Sequence, residues 1–151
     1  VARSLLLDPG VTMQAFRRFD EVEVGQVFPS APLRFTADGE KVSAFLAATG
    51  NDGRLYRDGD ALARVPSMIA CVFLIDLLAA RGSPPGGIHA KQALAFHRPV
   101  RLGETLSIEG RVTEKYMRKE RPYVVSTFEA HGEDGTLVST GQVTSIWGRD
   151  P

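Results

Sequence analysis

Pro66-Ser67-Met68-Ile69-Ala70-Cys71-Val72-Phe73-Leu74-Ile75-Asp76-Leu77-Leu78-Ala79-Ala80 decides how the rest of the chain is arranged. Pro66 suits the first helical position, where its missing N–H is harmless. Gly82 and the run Pro84-Pro85-Gly86-Gly87 end the segment. Between those limits Met68, Ile69, Val72, Phe73, Leu74, Ile75, Leu77 and Leu78 leave almost no polar face. A helix that is apolar on nearly every side is buried on nearly every side. The apolar run from Val65 to Ala80 is shorter than a bilayer-spanning helix and carries Asp76 near its middle, which reads as a core helix and not as a membrane span.

What lies on either side supplies the cover. Downstream, four segments read as strands: Ile88 to Arg98, Glu104 to Lys119, Tyr123 to His131 and Thr136 to Trp147. Leu106, Ile108 and Val112 alternate onto one face, as do Val124, Phe128 and Ala130, and Leu137, Val143 and Trp147 lie at even separations. The turns at Pro99 to Gly103, Lys119 to Pro122 and Gly132 to Gly135 are short, which predicts neighbouring antiparallel strands. Upstream, Gly25 to Phe35 reads as an edge or bulged strand, because Pro29 and Pro32 interrupt it. Thr36 is the expected N-cap of a first helix, with Glu40 supporting its first turn. Val42, Phe45, Leu46 and Thr49 recur at helical spacing, and Gly50 stops that helix. Asn51 to Asp60 is a polar loop, and Ala61 to Arg64 reads as a short helical turn. Residues 1–24 form an irregular lead-in, pinned to the core by Phe16, Phe19, Val22 and Val24; residues 25–151 form one domain. The layout is α+β: a curled antiparallel sheet wrapped around a long buried helix, which is a hot-dog fold. One sheet cannot cover the helix on all sides, so a second subunit is expected to close the structure.

Composition narrows the function. The chain has 151 residues, with 18 basic and 18 acidic side chains. Zero net charge argues against a nucleic-acid binder, which needs a concentrated basic face. One cysteine, Cys71, rules out an internal disulfide framework and a multi-cysteine zinc site. The leucines at Leu5 to Leu7 are too few for a signal-peptide core, and Asp8-Pro9 stops them. A cytoplasmic protein with no membrane contact is expected. No Gly-rich phosphate loop, metal-ligand cluster or nucleophile elbow is present, so neither a metal nor a cofactor is expected.

Several stretches resemble the MaoC-like hot-dog family of (R)-specific enoyl-CoA hydratases and 3-hydroxyacyl-thioester dehydratases, over roughly Phe19 to Trp147. They are Phe19-Asp20-Glu21-Val22-Glu23-Val24-Gly25-Gln26, Ala44-Phe45-Leu46-Ala47-Ala48-Thr49-Gly50, Tyr56-Arg57-Asp58, Phe96-His97-Arg98-Pro99-Val100-Arg101-Leu102-Gly103-Glu104-Thr105-Leu106 and the turn Gly132 to Gly135. The resemblance is strongest to the branch called dehydratase N-terminal, whose members include non-catalytic partner subunits. It implies a substrate that is a thioester of coenzyme A or of an acyl carrier protein, and a homodimer or a heterodimer with another hot-dog subunit.

Hydrating an enoyl thioester requires moving a proton at the α-carbon while water adds at the β-carbon, and stabilising the thioester oxygen as enolate character develops. The family does the first with an Asp and a His five positions later, and the second with N–H groups at the start of the buried helix. Carried over, the Asp position falls on Asn51 and the His position on Tyr56. Asn51 orients water but accepts no proton, and Tyr56 is a weak base. Asp52, one residue on, substitutes only if the loop is re-registered; alternatively Asn51 and Asp52 only shape the turn. Pro66, Ser67 and Met68 open the helix and are the expected thioester-oxygen site. Asp76 is either a buried general base, as in hot-dog thioesterases, or a hydrogen-bonded core residue. Arg98 and Arg101, or the cluster Lys115, Arg118, Lys119 and Arg121, meet the phosphates of coenzyme A or an acidic carrier, or are simply solvated. His89 and His97 share strand parity and read as structural; His131 precedes a turn. Three functions follow: a hydro-lyase, a non-catalytic subunit that supports a catalytic partner, and, more weakly, a thioesterase using Asp76.

Overall fold

A computed structural model describes residues 15–149; the earlier part of the lead-in, Leu5 to Leu7 included, lies outside them. Five strands form one antiparallel sheet: β1 (Val27–Thr36), β4 (Ile88–Phe96), β5 (Thr105–Arg118), β6 (Arg121–His131) and β7 (Leu137–Ile146), in the order β1-β5-β6-β7-β4. A two-stranded ribbon, β2 (Arg57–Asp58) with β3 (Ala61–Leu62), stands apart from it. Helix α1 spans Gly39–Ala48, and helix α2 spans Ala70–Ala79, entered through a 3-10 turn at Ser67–Ile69. Among the described residues no helix is long and apolar enough to cross a membrane.

The sheet curls around α2, the expected hot-dog arrangement. Phe73, fully buried at the helix centre, meets Phe35 of β1 edge-on at 5.5 Å and Phe128 of β6 at 5.9 Å. Edge-to-face aromatic packing of this kind adds to the area term. Ile69, Leu74 and Leu77 are buried with it, as are Leu106, Ile108, Val112, Val124, Phe128 and Ala130 from the strands. One stripe stays uncovered: Met68 is 48% and Ile75 69% exposed. All of β4 except Leu94 is exposed as well, and its edge away from β7 pairs with no strand among the described residues.

Five local expectations need correction. The cap of α1 is Asp38, whose carboxylate accepts the Lys41 N–H at 2.8 Å, while Thr36 ends β1 with its hydroxyl 2.8 Å from that of Thr105. Ala61–Leu62 is a strand, because Gly59 (φ 62°) turns the chain back onto Arg57–Asp58. Pro66 is extended (ψ 131°), so it caps the 3-10 turn and Ser67 is the first helical residue. Val138, 2% exposed, replaces Leu137 in the core. The Pro99 to Gly103 turn does not pair its flanking strands: β4 lies beside β7 at the far edge. Residues 97–104 can span about 25 Å, ample for the ~14 Å of three interstrand spacings, so the chain crosses the end of the curled sheet there. The predicted bulge in β1 is present between Phe28 and Leu33. In β4 a register shift between His89 and Lys91 breaks the parity expected of His89 and His97.

Arg81 closes the far end of α2. It is 5% exposed, and its guanidinium donates to Ser126 Oγ (3.1 Å), Ser145 Oγ (2.9 Å) and Leu78 O (3.4 Å). It lies over the Trp147 and Phe28 rings, and burial lowers its pKa to about 10. Of the lead-in anchors Val22 is buried, while Phe16 (53%) and Val24 (59%) are exposed. Lys115 Nζ donates to Val22 O at 2.6 Å and lies over the Phe19 ring, so this lysine holds the lead-in and leaves the basic cluster to Arg118, Lys119 and Arg121.

The β5–β6 hairpin turns at Lys119 (φ 49°) and Glu120 (φ 58°), both left-handed. L residues are disfavoured there, and Asn-Gly is the preferred pair for such a turn. The double variant Lys119→Asn, Glu120→Gly is expected to raise stability by ~1 kcal/mol, checked by urea unfolding as a higher midpoint with an unchanged slope.

Candidate functional site

Three segments converge at the N-terminal end of α2. The first leaves α1 through a tight reversal: Gly50 (φ 66°) donates to Ala47 O at 3.2 Å, and Asn51 N–H to Leu46 O at 2.9 Å. These are the paired bonds of a glycine-terminated helix end. Asn51 then folds onto its own chain, Oδ1 accepting the Gly53 N–H at 2.8 Å. Gly53 has φ 76°, and a Cβ there would lie 3.3 Å from Leu46 Cδ1. The 3-10 turn Arg54–Tyr56 brings Tyr56 back against the core. Tyr56 O accepts the N–H groups of Ala63 (2.9 Å) and Arg64 (3.0 Å), which closes the β2–β3 ribbon and delivers Arg64-Val65-Pro66 to the start of the helix.

The third segment is the crossing Pro99 to Leu102, held from behind by Arg98. Its guanidinium grips Glu104 through both terminal nitrogens (2.6 and 3.0 Å) and also donates to Thr136 Oγ1 (2.7 Å), Pro99 O (2.9 Å) and Asp134 Oδ1 (3.3 Å). The Glu104 side chain is 3% exposed and also accepts the Arg101 N–H at 2.9 Å. The Arg98 hydrogen bonds hold the Glu104 carboxyl below the usual range, and Asp134 is lowered to about 2, chiefly by its bonds from Thr136. Gly132 is required beside this clamp, since a Cβ there would collide with the Arg98 guanidinium and the Glu104 carboxylate.

Between the three segments lies a cleft of about 920 Å³. Phe45, Tyr56, Val65, Met68, Val100 and Leu102 give it an apolar lining; Thr49, Asn51, Ser67, Arg64, Arg101 and Cys71 add polar groups. Among the described residues that line it there is no carboxylate and no histidine. With Asn51 Oδ1 accepting from Gly53, its NH₂ is offered to a ligand as a donor, and neither end of the amide takes up a proton. Ser67 and Met68 open the helix, so their N–H groups have no intrahelical acceptor and sit at the positive end of the helix dipole.

Of the residues singled out from sequence, the structure brings together Asn51, Tyr56, Pro66, Ser67, Met68 and Arg101. It does not bring Asp52, Asp76 or Arg98 to the cleft. Asp52 is turned onto Arg54, Oδ2 accepting from Nε at 2.7 Å. Asp76 is half-buried, more than two turns further along α2. Arg98 is engaged in the clamp. His97 Nε2 lies 3.1 Å from Thr140 Oγ1, and His131 Nε2 lies 3.7 Å from Glu129, both away from the cleft. Sequence reasoning missed Arg64, Phe45 and Cys71 as lining residues. Cys71 had a legible signal, standing four residues after Ser67 and hence on the same helix face.

Residues 23–140 match a family model described as FAS1-like, dehydratase domain region. In sequence, no curated protein matches the chain. Among solved structures it is similar to an (R)-hydratase from A. caviae involved in PHA biosynthesis, with 26% identity over 85% of this chain and 98% of that one and a TM-score of 0.70. It is also similar to the HadBC (3R-hydroxyacyl-ACP dehydratase) complex from Mycobacterium tuberculosis, with 20% identity, coverage of 82% and 96%, and a TM-score of 0.68. A third likeness is to another M. tuberculosis protein, described as having a double hot-dog fold, with 20% identity and a TM-score of 0.72; the match covers 90% of this chain and 45% of that one.

Proposed function

The chain belongs to the FAS1-like dehydratase-region family, and on that premise we propose that it is an acyl-thioester-binding hot-dog subunit, one domain over residues 25–151, that holds a substrate without moving its protons. The observation that carries this reading is the base-free cleft. The resemblance sets Asn51 and Tyr56 at the hydratases' acid–base positions; Asn51 has its oxygen engaged by Gly53, and among the described lining residues no carboxylate or imidazole replaces the pair. Losing a positioned acid–base group removes about 10²–10⁴ in rate. What remains suits binding. The thioester oxygen takes the Ser67 and Met68 N–H groups, the acyl chain lies against Phe45, Val65 and Val100, and Asn51 donates toward the acyl carbonyl or a bound water.

The test is to incubate the chain with crotonyl-CoA and follow both binding and the enoyl absorbance. Binding with no hydration above the buffer rate is expected. Hydration that Asn51→Ala abolishes would overturn the reading, and so would failure of any thioester to bind.

A second hot-dog subunit supplies the chemistry in this account. The open edge of β4 supports it. That edge is nine residues long with Lys91 its only fixed charge, and it lacks the prolines and repeated charges that keep an edge strand solitary. The neighbouring stripe of α2 gives the partner an apolar landing. Ile75→Arg, at a side chain 69% exposed, is expected to change stability by no more than ~0.5 kcal/mol while weakening co-sedimentation with a hot-dog subunit that carries the Asp and His. An unchanged sedimentation profile would place the partner elsewhere.

A further inference from the structure

In a chain whose charges balance at 18 and 18, the cleft is not balanced. Two arginines line it and no carboxylate does, among the described residues. The two come from separate segments, Arg64 from the approach to α2 and Arg101 from the crossing after β4. Neither is tightly paired in place. Arg64 Nη1 donates to a carbonyl, Leu55 O, at 3.1 Å, and it has no carboxylate partner among the described residues. The Arg101 side chain is 69% exposed, and among the described residues its one ion pair, to Asp134, is long at 3.7 Å. Glu104 is held first by Arg98 (2.6 Å) and Asp134 first by Thr136 (2.7 Å), which leaves the Arg101 guanidinium only loosely engaged. An apolar cleft with fixed cations focuses potential on an anion and attracts it ahead of contact. Guanidinium matches phosphate oxygens two at a time, which an ammonium cannot do.

We propose that Arg64 and Arg101 together form a phosphate grip that holds the phosphorylated pantetheine arm of the ligand while the thioester lies at the start of α2. The assignment rests on the thioester-binding reading and adds to it the chemistry of the handle. It also moves the recognition role from Arg98, which sequence reasoning put beside Arg101, to Arg64. The phosphate is common to coenzyme A and to a carrier protein's prosthetic arm, so the probes must separate the two sources.

Calorimetric titration of the full chain with butyryl-CoA, butyryl-phosphopantetheine and butyryl-pantetheine does so. The two phosphate-bearing probes are expected to bind at least about tenfold more tightly than the pantetheine ester. Arg64→Gln and Arg101→Gln are each expected to remove most of that advantage and to leave the pantetheine ester unchanged. Equal affinity for the two phosphate-bearing probes assigns the grip to the arm's own phosphate. A surplus for the coenzyme ester that the same variants remove assigns it to the coenzyme. Three probes binding equally would overturn the phosphate grip and leave the thioester site standing, as would variants that weaken all three alike. No binding by any probe would take down the thioester reading and the grip with it.

Discussion

The double variant Asn51→Asp, Tyr56→His is expected to acquire enoyl-thioester hydratase activity at least about a hundredfold above the parent chain. The backbone already presents both positions to one cleft, opposite the helix start that would hold the thioester oxygen. An aspartate at 51 would keep the turn, because a carboxylate oxygen accepts the Gly53 N–H as the amide oxygen does now at 2.8 Å. Its second oxygen would then replace the donor NH₂ with an acceptor, the change that water activation needs. A histidine at 56 would bring a group whose ordinary pKa of about 6.5 lets it exchange protons near neutrality. Neither single variant should reach the activity of the pair, since acid and base act on the same water. The assay is crotonyl-CoA hydration with all four chains of the cycle, and equal activity of parent and double variant would show that the cleft is not arranged for this chemistry.

The largest expected effect on stability comes from Arg98→Ala. It leaves the Glu104 carboxylate, 3% exposed, without both hydrogen bonds of the Arg98 guanidinium (2.6 and 3.0 Å), keeping the Arg101 N–H at 2.9 Å. Removing one member of a buried ion pair costs about 3–5 kcal/mol, because the remaining charge is stranded. The penalty depends on pH in a definite direction. The carboxyl of Glu104 is held below its ordinary value of 4.5 in the folded chain, so the unfolded chain binds the proton more readily. The clamp's contribution is therefore complete above that ordinary value and is lost as pH falls through the lowered one. Urea unfolding of parent and variant should show a wide gap at neutral pH that narrows below about pH 4.5. The same clamp holds the Pro99 to Leu102 wall, so the variant is also expected to bind thioesters more weakly.

Much of this architecture is written in local pattern. The strands β5 to β7 announce themselves by alternation and short turns, and α2 by an apolar surface that burial explains. What local pattern did not carry was decided at longer range. Thr36 and Asp38 are both good caps, and the choice between them fell to the β1–β5 ladder, which engages Thr36 through Thr105. The crossing after β4 looks like a hairpin turn because Pro99 and Gly103 mark a bend without saying which strand lies beside it. Arg81 sits at the end of an apolar run, where sequence gives no sign that two serines and two aromatic rings from distant strands wait for it.

The site divides along the same line. Asn51, Tyr56 and the helix start could be singled out because loop and helix are close in sequence and the resemblance assigns each of them a role. Arg64 was not, because its role depends on the β2–β3 ribbon, in which Tyr56 O folds residues 63 and 64 back toward α2. Arg98 stands three residues before Arg101 in sequence, but a buried glutamate captures its guanidinium while the Arg101 side chain stays exposed.

A crystal structure of the chain with bound butyryl-CoA would locate the ester. The thioester oxygen is expected within hydrogen-bonding distance of the Ser67 and Met68 N–H groups and the acyl chain against Phe45 and Val100, with no carboxylate or imidazole of this chain reaching the β-carbon. An ester bound outside the cleft, or one whose β-carbon faces Asp52 or Asp76, would contradict the proposed site.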